Sequence, residues 1–110
     1  MDLLPLKPAW FHLLLALREI GPAHGKALRR HVEERTEGRV PLYPATLYGS
    51  IRELADARLI EPADGSDGDE DQRRQDYRLT RAGSRVLDAE ADRLASLVDA
   101  VRAARGPGYA

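Results

Sequence analysis

The sequence has 110 residues, a formal net charge of −1 and no cysteine. This length allows one domain with a modest core, and the absence of cysteine excludes disulfides and thiolate chemistry. No apolar run approaches the ~20 residues that a membrane-spanning helix needs. The start, with Asp2 and two early prolines, does not resemble a signal peptide. We therefore expect a cytoplasmic protein without a membrane partner.

Three helices are predicted in the first half of the chain. The first, over residues 8–20, opens with a proline, is apolar around most of its circumference and stops at Gly21-Pro22. The second, over residues 23–36, has a thin apolar stripe and ends before a glycine. The third, over residues 44–58, again opens with a proline, which suits the first turn of a helix.

The second half of the chain predicts a β-hairpin and one long helix. Residues 59–62 and 72–79 form the two strands, joined by a Gly/Asp-rich loop over residues 63–71. Thr80 is a good N-cap for a last helix over residues 81–105. Three helices and a hairpin predict a mainly α winged helix-turn-helix. Its third helix is the recognition helix and its hairpin loop is the wing.

Four motifs resemble the PadR-type transcriptional regulators, across nearly the whole chain. They read Leu6-Lys7-Pro8-Ala9-Trp10-Phe11, Gly21-Pro22-Ala23-His24-Gly25, Thr46-Leu47-Tyr48 and Tyr77-Arg78-Leu79-Thr80-Arg81-Ala82-Gly83. The resemblance implies a winged helix, a dimer joined through the last helix, and operator binding that usually represses transcription. In several members of the family a small molecule or a stress signal relieves the repression. The chain departs from the family pattern at Lys26, Tyr43, Gly49 and the acidic wing.

The recognition helix has one apolar stripe and one polar face. Leu47, Ile51 and Leu54 recur at helical spacing and predict the side that faces the core. On the opposite side, Arg52 can donate two hydrogen bonds to a guanine edge. The alternative is that Arg52 pairs with Glu53 or Asp56. The predicted DNA-binding residues are Lys26, Tyr43, Ala45, Thr46, Tyr48, Gly49, Arg52, Arg73 and Arg74.

The wing is the most polarised part of the sequence. Residues 63–71 hold five acidic residues and no base, whereas residues 72–85 hold five arginines and one aspartate. Arg73 and Arg74 suit phosphate or minor-groove contacts, or alternatively they neutralise the acidic loop beside them. The loop does not match a calcium-binding EF-hand, because Gly68 falls at the fifth position, Asp69 stands where glycine is needed and Gln75 stands where the bidentate glutamate belongs.

No pattern in the sequence predicts catalysis, a metal site or a cofactor. The three histidines lack zinc-site spacing, and His24 is expected to bond the turn that starts the second helix. No nucleophile–base set, phosphate-cradling glycine loop or carboxylate pair is present. We therefore predict that the protein is not an enzyme.

The last helix carries an apolar stripe suited to pairing. Its apolar residues recur at a 4-3-4-3 spacing, which is typical of a coiled-coil contact. The alternative is packing on its own domain, but residues 92–105 extend past the part that a small winged helix can cover. We predict a homodimer in which the first helix packs against this stripe. The predicted interface residues are Trp10, Leu14, Leu87, Ala91, Leu94, Leu97, Val98 and Val101.

These patterns predict a PadR-like repressor that binds a palindromic double-stranded DNA operator as a dimer. Residues 1–80 would form the DNA-binding domain, residues 81–105 the dimerisation helix and residues 106–110 a tail. The sequence identifies no small-molecule inducer. The alternative function is a winged-helix module for protein–protein interaction, in which the acidic loop excludes DNA.

Overall fold

The computed structural model describes residues 3–64 and 75–105. Its elements in chain order are α1 (Pro8–Ile20), α2 (Gly25–Thr36), α3 (Pro44–Asp56), β1 (Ile60–Pro62), β2 (Tyr77–Leu79) and α4 (Arg81–Ala103). The order of elements confirms the predicted winged helix-turn-helix with a long C-terminal helix. No helix in the described ranges is long and apolar enough to cross a membrane.

Helix α2 begins two residues later than predicted, because a histidine caps it. The Nδ1 atom of His24 accepts a hydrogen bond from the Ala27 amide at 3.2 Å, which confirms the expected role of His24. At the other end, Gly38 has a φ of 76°, and its amide donates to the Glu33 carbonyl at 2.8 Å. This contact closes the helix and leaves a sharp exit toward α3.

The hairpin is short and is attached to the start of α2. Strands β1 and β2 are antiparallel, with Ile60 opposite Leu79 and Pro62 opposite Tyr77. The Tyr77 amide donates to the Ala23 carbonyl at 3.0 Å, and the Ala23 amide donates back at 3.1 Å. The predicted second strand is longer than β2, and its residues 72–74 lie outside the described residues.

Helix α3 ends two residues earlier than predicted, at Asp56. Arg58, which follows, has a φ of 62° in the left-handed region, and this turns the chain into β1. The predicted apolar stripe of α3 is confirmed, since Leu47, Ile51 and Leu54 are at most 2% exposed. The core is completed by buried side chains from the other helices and the hairpin. They include Leu13, Leu14, Leu17, Leu28, Val32, Leu42, Leu59, Ile60, Tyr77 and Leu87.

Helix α4 packs on the domain along its first half only. Thr80 caps it as predicted, with its hydroxyl oxygen accepting from the Gly83 amide at 3.0 Å. Leu87 and Glu90 are each 2% exposed, whereas every residue from Leu94 to the end of the helix is exposed. The second half of α4 therefore leaves the domain, and the long dimension of the structure reaches 59 Å.

Two residues of the predicted dimer interface are corrected by this packing. Leu14 is 0% exposed and Leu87 is 2% exposed, because both belong to the core of the chain itself. A helical repeat cannot distinguish a stripe that packs within the chain from one that packs on another chain. Neither side chain presents surface to a second copy.

Candidate nucleic-acid interface

The outer face of α3 is open to solvent. Ala45, Thr46 and Arg52 are exposed, while Tyr48 and Gly49 are half-buried. These five predicted DNA-binding residues share the side of the helix opposite the core stripe. Since Ala45 and Gly49 are small, other groups can approach the α3 backbone closely.

Arg52 lacks a protein partner in the part of the chain that the structure describes. The sequence leaves open whether Glu53 neutralises it, but the Glu53 carboxylate is held elsewhere. It accepts from Lys7 Nζ at 3.1 Å and from Trp10 Nε1 at 3.4 Å. Asp56 forms no ion pair with Arg52 either. The guanidinium of Arg52 is therefore available for a ligand.

Glu53 is an exposed carboxylate with a specific environment. The hydrogen bond from Lys7, followed by the one from Trp10, holds the pKa of Glu53 below its ordinary value. The Lys7 ammonium also lies 5.3 Å from the centre of the Trp10 ring. Glu53 therefore remains ionised and turned toward the start of α1.

The start of α3 has no side-chain cap. Tyr43 precedes the helix, is 67% exposed and forms no capping hydrogen bond. The first intrahelical bond joins the Leu47 amide to the Tyr43 carbonyl at 2.8 Å. Within the described residues the amides of Ala45 and Thr46 therefore have no acceptor. Such amides, together with the positive end of the helix dipole, favour an anion such as phosphate.

Tyr48 also joins α3 to α2, which the sequence did not predict. A Cβ atom built on Gly25 would lie 2.8 Å from Tyr48 Cε1 and 3.3 Å from Ile51 Cδ1. Only glycine permits this approach of the tyrosine ring to the first turn of α2. The His-Gly pair at the start of α2 is visible in the sequence, but no local pattern identifies Tyr48 as its neighbour.

Of the other cationic residues predicted to contact DNA, only Lys26 lies within the described residues. Lys26 is exposed in the first turn of α2 and forms no ion pair within residues 3–64 and 75–105. It lies beside Gly25, on which the Tyr48 ring packs. Arg73, Arg74 and most of the acidic loop lie outside the described residues.

An apolar face on the second half of α4 is the second candidate surface. Leu94, Leu97, Val98 and Val101 are 36%, 50%, 46% and 66% exposed. With two arginines, they line an open groove of about 380 Å³. Ala91, at the start of this face, is also exposed. Trp10, also predicted here, is half-buried and bonds to α3 through its indole N–H.

Glu90 is a buried carboxylate at the base of this apolar face, and the sequence did not predict its role. It accepts a hydrogen bond from the Leu6 amide at 2.9 Å and one from Arg93 Nη2 at 3.0 Å. The hydrogen bond from Arg93 is the main cause that lowers the pKa of Glu90, while desolvation opposes it. Because its oxygens have partners, the buried charge is tolerated.

The depressed pKa of Glu90 predicts a pH-dependent stability. Because the folded-state pKa lies below the unfolded value of about 4.3, the ionised carboxylate stabilises the fold fully above that pH. This stabilisation is lost as the pH falls through the folded pKa. The melting temperature of Glu90→Gln should therefore fall below that of the wild type at pH 7. The difference should shrink as the pH falls below about 4.3 and through the folded pKa. Thermal unfolding across this range, with Glu33→Gln as the control for removing one carboxylate, measures it. A difference that stays constant with pH would contradict the assignment.

Comparison with known proteins identifies the family. The model of the transcriptional regulator PadR-like family matches residues 13–89, which include α2, α3, the hairpin and the buried half of α4. The chain belongs to the PadR-like family. One curated relative of this PadR-like chain is an uncharacterised 37.1 kDa protein in transposon Tn4556 of Streptomyces fradiae. It is 33% identical over 85 residues, or 77% of this chain, which spans only 23% of the relative's length.

Solved structures support the winged-helix fold of the PadR-like chain. RosR of H. salinarum is 26% identical with a TM-score of 0.63, over 89% of this chain and 79% of RosR. The MarR family regulator NMB1585 of Neisseria meningitidis is 26% identical with a TM-score of 0.56, over 92% and 63%. A transcriptional regulator from Clostridium thermocellum has a TM-score of 0.70 over 86% of each chain, and at 19% identity it supports the fold alone.

Proposed function

We propose that this PadR-like chain is a transcriptional repressor that binds a palindromic operator as a homodimer. The observation that carries the proposal is the state of Arg52. It is exposed at the middle of α3 and lacks a protein partner in the described ranges, while the neighbouring Glu53 is bound to Lys7 and Trp10. A guanidinium presented in this way suits bidentate contact with a guanine edge in the major groove.

The surroundings of Arg52 supply contacts that place a helix on DNA without reading sequence. The open amides of Ala45 and Thr46 suit one phosphate, and the Lys26 ammonium at the start of α2 suits another. The small residues Ala45 and Gly49 leave room for the edges of base pairs. Arg73 and Arg74 would add backbone or minor-groove contacts from the wing.

A second copy of the chain is the proposed occupant of the apolar face of α4. One recognition helix covers too few base pairs to select an operator in a genome, and two-fold pairing supplies a second half-site about 34–36 Å away. The exposed apolar side chains of α4 are the surface that pairing would bury. The interface proposed for the dimer comprises Ala91, Leu94, Leu97, Val98 and Val101, with Trp10 at its edge.

Replacing Arg52 tests the proposed mode of reading. Arg52→Ala is expected to weaken binding to the selected operator by about 1–3 kcal/mol and to relax the preference at one base position. The double variant Arg73→Ala, Arg74→Ala should weaken binding to all DNA sequences alike. It should also reduce the slope of log affinity against log salt concentration by about 0.9 per lost phosphate contact. Titration of operator and mismatched duplexes at several salt concentrations separates the two effects.

Arg35→Ala is the matched control for Arg52, because it removes an exposed arginine that already pairs with Glu19. It should leave the base preference unchanged. Equal weakening of every DNA sequence by Arg52→Ala would show that Arg52 does not read a base.

A further inference from the structure

A short N-terminal segment, Leu6–Trp10, contacts both α3 and α4, and we name it the N-terminal link. At one end, the Leu6 amide donates to the buried carboxylate of Glu90 on α4 at 2.9 Å. At the other, Lys7 Nζ and Trp10 Nε1 donate to the same carboxylate of Glu53 on α3, at 3.1 and 3.4 Å. The link therefore lies between the helix proposed to read DNA and the helix proposed to pair.

The backbone between these anchors is constrained. Leu6 is 7% exposed and is part of the core, so its backbone is fixed by its side chain. Lys7 has φ −58° and ψ 141°, an extended conformation that the following Pro8 favours. The Lys7 carbonyl accepts from the Phe11 amide at 3.1 Å, as the first turn of α1. The two anchors are therefore joined by adjacent residues, since the Leu6 amide contacts Glu90 and the Lys7 side chain contacts Glu53.

The two anchors differ in strength. Glu90 is 2% exposed, and removing its partners would leave a buried charge without compensation. The Lys7–Glu53 pair is exposed on both sides and is screened by water. The N-terminal link is thus firmly attached to α4 and more weakly attached to α3.

We propose that Glu53 and Glu90 are positioning residues that couple the orientation of α3 to α4 through the N-terminal link. This inference rests on the proposed function. In a dimer joined through α4, the angle between α4 and α3 sets the separation of the two Arg52 side chains. The N-terminal link therefore determines how much the affinity for DNA falls when the spacing of the two half-sites changes.

The experiment compares operators whose half-sites are moved apart or together. One added base pair shifts a half-site by about 3.4 Å and rotates it by about 35°. The operator is first selected from random DNA with the wild-type full chain, and duplexes with spacings changed by one and two base pairs are then titrated. The wild type should lose about tenfold in affinity for a change of one base pair. Glu53→Gln, Trp10→Phe and Glu90→Met should each lose less than about threefold.

A double variant tests whether the two carboxylates act through the same link. If they do, Glu53→Gln combined with Glu90→Met should flatten the spacing preference no further than the stronger single variant. Glu33→Gln is the matched control, since it removes a similarly exposed carboxylate 3.1 Å from Arg29. It should keep the spacing preference of the wild type. Trp10→Phe keeps a smaller aromatic ring and removes the indole N–H donor to Glu53, so it provides the test even if Glu90→Met does not fold.

The outcomes separate this inference from the proposed function. A lower melting temperature with an unchanged spacing preference in Glu53→Gln and Trp10→Phe would overturn the inference and leave operator binding intact. Additive effects of the two carboxylate changes would overturn the coupling through one link. A wild type that selects no DNA sequence would instead overturn the proposed function.

Discussion

Leu94→Asp is expected to produce a folded monomer that has lost operator binding. Leu94 is 36% exposed in the single chain, so a carboxylate there remains solvated in the monomer and costs little stability. In the proposed dimer it would be buried near its symmetry mate, where desolvation and like-charge repulsion both oppose association. Losing the second half-site should weaken operator binding by about 100-fold or more. Sedimentation velocity and DNA titration measure the two effects.

Ser96→Asp is the matched control for Leu94→Asp. It adds the same charge to the same half of α4, at an exposed position about 200° around the helix from Leu94. This variant should remain dimeric and bind the operator. If Leu94→Asp also stays a dimer with normal operator affinity, the apolar face of α4 is not the dimer interface.

Gly83→Ala is expected to destabilise the fold by about 3 kcal/mol, a large value for one added methyl group. A Cβ atom on Gly83 would lie 2.0 Å from the Leu59 carbonyl oxygen and 2.9 Å from Leu79 Cδ1. The nearer atom is backbone, so it cannot move away without displacing the entry to β1. The Gly83 amide also donates to the Thr80 hydroxyl oxygen, which fixes the first turn of α4. Urea unfolding at a fixed protein concentration measures the change.

Gly49→Ala is expected to change the stability in the opposite direction and serves as the control for Gly83→Ala. Nothing lies within 4 Å of a Cβ atom on Gly49, which is inside α3. Alanine should therefore stabilise the helix by about 0.5–1 kcal/mol, since it restricts the unfolded chain more than glycine does. If both variants shifted stability in the same direction, the close approach of α4 to the Leu59 carbonyl would not explain the glycine at position 83.

Local sequence signals predicted the elements well, because prolines, glycines and caps act over a few residues. Pro8 and Pro44 began their helices as expected, and Thr80 capped α4. The errors were also local. Helix α2 starts at Gly25, two residues later than predicted, and the left-handed Arg58 lies beyond a helix that was predicted to include it.

The long-range contacts of the candidate site could not be predicted from local sequence patterns. Glu53 finds its partners 43 and 46 residues earlier in the chain, and Glu90 accepts from an amide 84 residues away. Helical periodicity shows that a carboxylate lies off the apolar stripe, but not which donor meets it. For the same reason, the apolar spacing of α4 did not separate Leu87, which packs inside the chain, from the exposed Leu94.

Selection of DNA from a random pool by the wild-type protein tests the proposed function most directly. The proposal predicts enrichment of an inverted repeat, bound by two chains, with half-sites about one helical turn apart. Affinity for it should fall steeply with salt, by about 0.9 log units per phosphate contact for each tenfold rise in concentration. No enriched sequence, and no DNA binding even at low salt, would contradict it and favour a module for protein–protein interaction.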